Sequence, residues 1–225
     1  MKKLFKIIGA ILFLFIAAAT IYYFTNNESL PEGKQGKEAD ALANKMLNAL
    51  NYKAYKNTEI IEWSFREKHH YRWIKRENIV VIKWDDKIVH LHLYKPEKSF
   101  IQNPDLTIVK KPSTAILKEA QDYFNNDSFW LVAPFKIFDP GTERRIVKHI
   151  GTDSLLIRYK SGGSIPGDSY LWILDNNYFP VSYKMWTSII PIGGVSATWS
   201  DWKKTDTGIK LPTKHKLSLF GLELN

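Results

Sequence analysis

The chain has 225 residues, 14% of them aromatic, and no cysteine. Without thiols it has no disulfides, no thiolate metal site, no cysteine nucleophile and no lipid-bearing cysteine. The formal charge is +9, and taking away Lys2, Lys3 and Lys6 leaves +6, scattered with no basic run of five. That is the pattern of solvated faces, and no nucleic-acid partner is expected from it.

Residues 4–24 are apolar apart from Lys6, Gly9 and Thr20. A helix of about 20 such residues spans a hydrocarbon layer roughly 30 Å thick. Three lysines precede the apolar run, and Asn26, Asn27, Glu28 and Glu32 follow it. The positive-inside rule keeps the lysine-rich end in the cytoplasm. The expectation is a single-pass inner-membrane anchor over residues 1–24, with the remaining chain on the periplasmic side. Tyr22 and Tyr23 fall where aromatic residues prefer the far interface. The alternative is a signal peptide cut after Ala19, at Ala17, Ala18 and Ala19, which would release a soluble periplasmic protein. The apolar run continues through Ile21 to Phe24, beyond that cut, and favours the anchor.

Residues 25–37 are polar, with Pro31, Gly33 and Gly36, and read as a tether. Residues 38–225 form one domain. It opens with a helix over 38–51, where Ala39, Leu42, Ala43, Met46, Leu47 and Leu50 make one stripe. The period then changes to two. Strands are predicted at 57–66, 68–76, 78–84 and 87–95, joined by short links into an antiparallel meander. Ser113 and Thr114 after Pro112 start a second helix, and Asn125, Asn126 and Asp127 are expected to break it. Residues 128–138 read as a short helix plus an irregular piece, closed by the turn at Asp139, Pro140 and Gly141. Six more strands follow, at 143–150, 153–160, 168–175, 178–187, 195–203 and 209–219. Pro180 and Pro212 mark edges or bulges. The fold class is α+β: an open antiparallel half-barrel of about 10–11 strands with helices on its concave side, preceded by the transmembrane helix.

Chemistry is sparse. Residues 162–167 (GGSIPG) carry glycine and serine but not the spacing of a nucleophile elbow, and read as a hairpin loop. His90 and His92 share a strand face at chelating spacing, and His69 or His70 would have to meet them across the sheet; solvent-facing histidines are the plainer reading. Glu59 and Glu62 point to opposite faces and make a poor acid–base pair, while Asp85 and Asp86 sit in a turn. Asp201, between Trp199 and Trp202, reads as one half of a structural ion pair. No catalytic residue, cofactor or resident metal is expected. Trp63, Phe65, Trp73, Trp130, Phe135, Trp172, Phe179 and Trp199 fall mostly on apolar faces, either as core or as the wall of an apolar ligand cavity.

Two segments carry a family resemblance. One is FWLVAPFK at 129–136 followed by DPG at 139–141; the other is WSDWK at 199–203, a turn, and GIKLPT at 208–213. With the order of elements over residues 38–220, they resemble an uncharacterised branch of the lipoprotein-carrier-like (LolA/LolB-like) envelope proteins. The resemblance implies an eleven-stranded half-barrel around an apolar cavity, and a lipid, acyl chain or lipoprotein as ligand. The anchor departs from soluble carriers of that group, and the missing cysteine departs from its outer-membrane acceptors. A non-enzymatic lipid-binding protein is therefore expected. The alternatives are an envelope sensor or accessory module holding a partner protein and, behind it, a hydrolase.

Overall fold

A computed structural model describes residues 2–109, 112–161, 167–217 and 220–224. Helix α1 (Lys2–Asn26) is one unbroken, mainly apolar rod, and none of the residues in its apolar stretch is buried. Helix α2 (Lys37–Ala49) follows the predicted stripe, burying Ala39, Leu42, Ala43, Met46 and Leu47. A short helix α3 (Tyr52–Asn57) fills the stretch between the predicted helix and the first predicted strand and overlaps that strand only at Asn57. Asn51 makes that sharp junction. It adopts a left-handed φ of 61°, its side chain accepts from the Ala54 amide, and its own amide group donates to the Gly208 carbonyl at 2.9 Å.

The strands form two open antiparallel sheets. The first is a meander of β1 (Ile60–Phe65), β2 (His69–Ile74), β3 (Ile79–Trp84), β4 (Lys87–His92) and β5 (Phe100–Gln102). The second contains β6 (Thr142–His149), β7 (Thr152–Tyr159), β8 (Ser169–Leu174), β9 (Pro180–Trp186), β10 (Val195–Thr198), β11 (Ser200–Lys204), β12 (Lys210–Leu217) and β13 (Phe220–Glu223). Both β10 and β11 pair with β12, as one strand interrupted at Trp199. A bridge between Phe65 and Leu224 joins the edge of the first sheet to the end of β13. The two sheets, joined by this bridge, stay open between β5 and β6 and do not close into a barrel.

All ten predicted strands are present. The two unforeseen ones, β5 and β13, are three and four residues long and lie at edges, where alternation is too brief to read. The bulge expected near Pro180 appears as a register shift between Ile173 and Leu174. The hairpin loop expected at 162–167 lies outside the described residues except for Gly167, as does the end of the last predicted strand.

Period-two alternation puts matching ladders on the concave face. In the first sheet, Ile61, Trp73, Val80 and Leu91 are in register, and beside them Trp63, Tyr71, Ile82, Val89 and Ile101. In the second, Ile146, Leu155, Trp172, Tyr183, Ala197 and Leu217 form one cross-strand row. Each large side chain removed from water in such a row contributes about 1.5–3 kcal/mol before conformational entropy is charged.

Two expectations are corrected. The helix predicted to break at residues 125–127 runs on as α4 (Thr114–Val132), capped by the Ser113 side chain and ended by a 3-10 turn at Ala133–Phe135 that contains Pro134. Its polar triplet holds because each group finds a partner: Gln121 donates to Asn125, Asn126 donates to Asp127, and Asp127 is bonded to the sheet. The segment read as a free tether is instead laid along the second sheet. Lys34 and Ile146 exchange both backbone hydrogen bonds, at 2.8 and 2.9 Å, and Arg145 donates to the Glu32 carbonyl. β6 is an edge strand with unpaired backbone groups, and this segment satisfies some of them. Gly33 makes the close approach possible, since a Cβ there would lie 2.7 Å from Val147 Cγ2 and its φ is +63°.

Candidate functional site

Helix α4 lies across the concave face and divides it into two groups of aromatic rings. Its first half faces the first sheet, where Phe124 packs edge-on to Trp73, and Trp63 stacks on Tyr71 at 4.5 Å. Its second half faces the second sheet. There Trp130 meets His215 at 5.4 Å and Phe129 meets Tyr170 at 4.5 Å. Behind them, Trp172 stacks on Trp199 at 5.0 Å, and Tyr183 contacts both. The rings rest against one another, and Trp63, Trp73, Trp172, Tyr183 and Trp199 are all buried.

Of the eight aromatic candidates, Trp63 and Trp73 belong to the first group, and Trp130, Trp172 and Trp199 to the second. Phe179 sits at the margin of the second group, edge-on to Trp202 at 4.6 Å. Phe65 lies at the seam beside Leu224 and stacks on His69. Phe135 is apart from both groups and stacks on Tyr55 at 4.3 Å.

Between the two groups α4 buries a carboxylate. Asp127 Oδ2 accepts from the Tyr71 hydroxyl at 2.6 Å and lies 2.7 Å from His69 Nδ1. Burial, with Asp127 as a charged neighbour, pushes the Tyr71 hydroxyl pKa far up, so it stays a proton donor. His69 is stacked on Tyr123 at 4.1 Å. Sequence reasoning weighed His69 but not Asp127, Tyr71, Tyr183 or His215. One signal for Asp127 was present: with Ala120, Phe124 and Leu131 it shares a helical stripe that is otherwise apolar.

The second group holds polar atoms that find no hydrogen-bond partner among the described residues. They include the indole nitrogens of Trp172 and Trp199 and the Tyr183 hydroxyl. Trp63 and Trp73 carry the same feature in the first group. Leaving a buried donor unsatisfied costs about 1–3 kcal/mol, and native structures contain few such groups. His215 is buried beside them, and its Nδ1 bonds the Thr198 carbonyl at 3.0 Å.

Of the remaining candidates, His92 bonds Ser99 through its backbone amide while its buried Nδ1 finds no partner among the described residues, and the others have local partners. His90 Nε2 lies 2.8 Å from Gln102 Oε1, and its ring stacks on Phe100. Register separates the histidines: His70 is level with Lys83 and Ile88, while His90 is level with Val81 and Arg72, so the two do not meet across the sheet. Among the described residues no three His, Asp or Glu side chains converge as metal ligands. Asp201 is half exposed and lies 3.7 Å from Lys214. Asp85 and Asp86 both face Lys87. A separate open cleft of about 390 Å³ lies at the end of β9, where Asn27 and Glu28 meet Trp186, Thr187 and Gly193.

No family model and no curated protein matches the chain. Among solved structures, it is similar to a DUF1329 family protein from Desulfovibrio piger, with 8% identity and a TM-score of 0.41 over 83% of this chain and 91% of the other. A likeness of this size says nothing of what either protein binds.

Proposed function

We propose that the protein is a non-enzymatic, membrane-anchored envelope protein that binds an acyl-chain lipid between α4 and the concave face of the sheet. One observation carries this reading: three buried donors, the indole N–H groups of Trp172 and Trp199 and the Tyr183 hydroxyl, have no acceptor among the described residues and sit in a layer of aromatic rings beside the buried His215. A carboxyl or ester oxygen at the head of an aliphatic chain supplies the acceptors, and the chain suits the surrounding rings. The rings are in mutual contact, so entry on this reading displaces α4 and the segment that follows it. Helix α1 is long and apolar enough to cross a bilayer. With Lys2, Lys3 and Lys6 at its start, the domain stands on the periplasmic side of the inner membrane.

The test is native mass spectrometry of the full-length protein extracted from its membrane in mild detergent. Retained lipid adducts are expected. Trp199→Phe, which keeps a ring and removes a donor, weakens retention on this reading. A protein that carries no lipid and shows no change in tryptophan fluorescence with added oleate would refute it.

A further inference from the structure

The chain leaving α1 is fastened to the domain immediately after the helix, ahead of its pairing with β6 at Lys34. The Glu28 amide donates to the Gly193 carbonyl at 3.0 Å, and the Gly193 amide donates to Asn27 Oδ1 at 2.8 Å. The Trp186 indole donates to the Glu28 carbonyl at 2.8 Å. Lys184 Nζ reaches both Glu28 carboxylate oxygens, at 2.6 and 2.7 Å. Gly193 permits this approach, because a Cβ there would lie 2.5 Å from the Glu28 carbonyl and 2.5 Å from Trp186 Cδ1.

These contacts fix a depth as well as a position. Helix α1 ends at Asn26, and the Asn27 amide still donates to the Tyr23 carbonyl. Two further residues extend at most about 7 Å, and the polar layer on each side of a bilayer is about 5–8 Å deep. With α1 spanning the membrane, Trp186 and Gly193 therefore stand at the level of the lipid headgroups. Beside them runs the loop 187–194 (TSIIPIGG), which has no charged residue. Ile189 is 68% exposed, and Ile190 and Ile192 are half-buried. Isoleucines and a tryptophan match the interfacial layer; the charges that border the loop are Asp168, which accepts from the Ser188 amide, and the mutually paired Glu28 and Lys184.

We infer that residues 187–194 seat in the interface of the same membrane that holds α1, so that the domain is held in one orientation with this end of the sheet against the bilayer. The inference rests on the anchor reading of α1. Ile150, 89% exposed, is the built-in comparison. It lies at the β6–β7 turn, whereas Trp186, Ser169, Arg158 and Glu143 are level with one another at the other end of the strands. Seven residues of strand separate the two ends, roughly 20 Å.

The absence of cysteine makes single-site labelling clean. Spin labels placed by Leu12→Cys, Ile189→Cys and Ile150→Cys in the full-length protein, in nanodiscs of phosphatidylethanolamine and phosphatidylglycerol, report exposure to oxygen and to an aqueous nickel chelate. Expected are a deep Leu12 site, an exposed Ile150 site, and an Ile189 site several-fold more protected from nickel than Ile150. An Ile189 site as accessible as Ile150, with Leu12 protected, overturns the docking and leaves the anchor standing. An accessible Leu12 site overturns the anchor, and the docking with it.

Discussion

Neutralising the interior at His215 should flatten part of the protein's acid sensitivity. His215 is 1% exposed, with its ring edge-on to Trp199 at 4.6 Å and to Trp130 at 5.4 Å. Burial pushes its pKa from 6.5 down to about 4, against backbone hydrogen bonds that favour the charged ring. The folded value lies below the unfolded one, so between these two pH values the unfolded chain binds a proton that the fold does not. The histidine's contribution is therefore fully favourable above pH 6.5 and is lost as pH falls toward 4. At a pH of about 4.5 the loss is on the order of 2.5 kcal/mol relative to neutral pH. Urea denaturation of the full-length protein in nonionic detergent, followed by tryptophan fluorescence, measures it. Carboxylates also titrate in this range, so the informative quantity is the difference between wild type and His215→Gln. That difference should shrink by about 2–3 kcal/mol from neutral pH to a pH of about 4.5. A difference that stays constant with pH would mean that His215 is not buried neutral in the fold.

Asp127→Ala removes the acceptor shared by Tyr71 and His69. It should destabilise the protein by about 3 kcal/mol, lowering the melting temperature by several degrees in near-UV circular dichroism, whereas Asp127→Asn, which keeps one carbonyl oxygen, should lose less. Asn51→Ala loses a side-chain cap and places alanine at a φ of 61°, so it should cost about 1–2 kcal/mol by urea denaturation, with Asn51→Gly recovering part of it. Gly193→Val drives a side chain into Glu28 and Trp186; faster proteolysis within residues 27–36, with the domain's melting temperature little changed, is the expected result. Lys75, whose ammonium lies 3.7 Å from the centre of the Tyr55 ring, has its pKa lowered by burial to about 8. The fold then gains stability as pH rises from 8 toward the ordinary lysine value, and Lys75→Met should abolish that gain in alkaline denaturation curves.

The sheet was legible because its information is local. Alternation such as Ile61, Trp63 and Phe65 against Glu62, Ser64 and Arg66 assigns strand and face without knowledge of any partner. The site was less so. Asp127 looked like a helix breaker because its side chain competes for backbone groups when no partner is near, and its partners Tyr71 and His69 are more than 50 residues away. His69 shares the face of Tyr71 and Trp73 by the same alternation, but its meeting with Asp127 depends on how α4 lies across the sheet. Residues 25–37 read as a tether for the same reason: a polar stretch with Gly33 and Pro31 looks flexible until the unpaired edge of β6 is there to receive it.

On the anchor reading, that docked segment changes what the domain can do. A free tether of a dozen residues would let the domain rotate and sample a wide shell beyond the membrane. With Glu28 held by Lys184, Trp186 and Gly193, and Lys34 held by Ile146, the slack between α1 and the sheet is removed. The same segment covers part of the β6 edge, one side of the opening between the two sheets. On the lipid-binding reading, the opening therefore keeps a constant relation to the bilayer, and a ligand enters from, or leaves to, the membrane beside it. Loosening the fastening at Gly193 should then slow lipid exchange with labelled vesicles while leaving lipid retention in detergent intact, since retention depends on Trp172, Trp199 and Tyr183, on the face of the sheet opposite to Lys184 and Trp186. Equal losses of exchange and retention would tie both to the fold of the domain and would remove the argument for a fixed orientation.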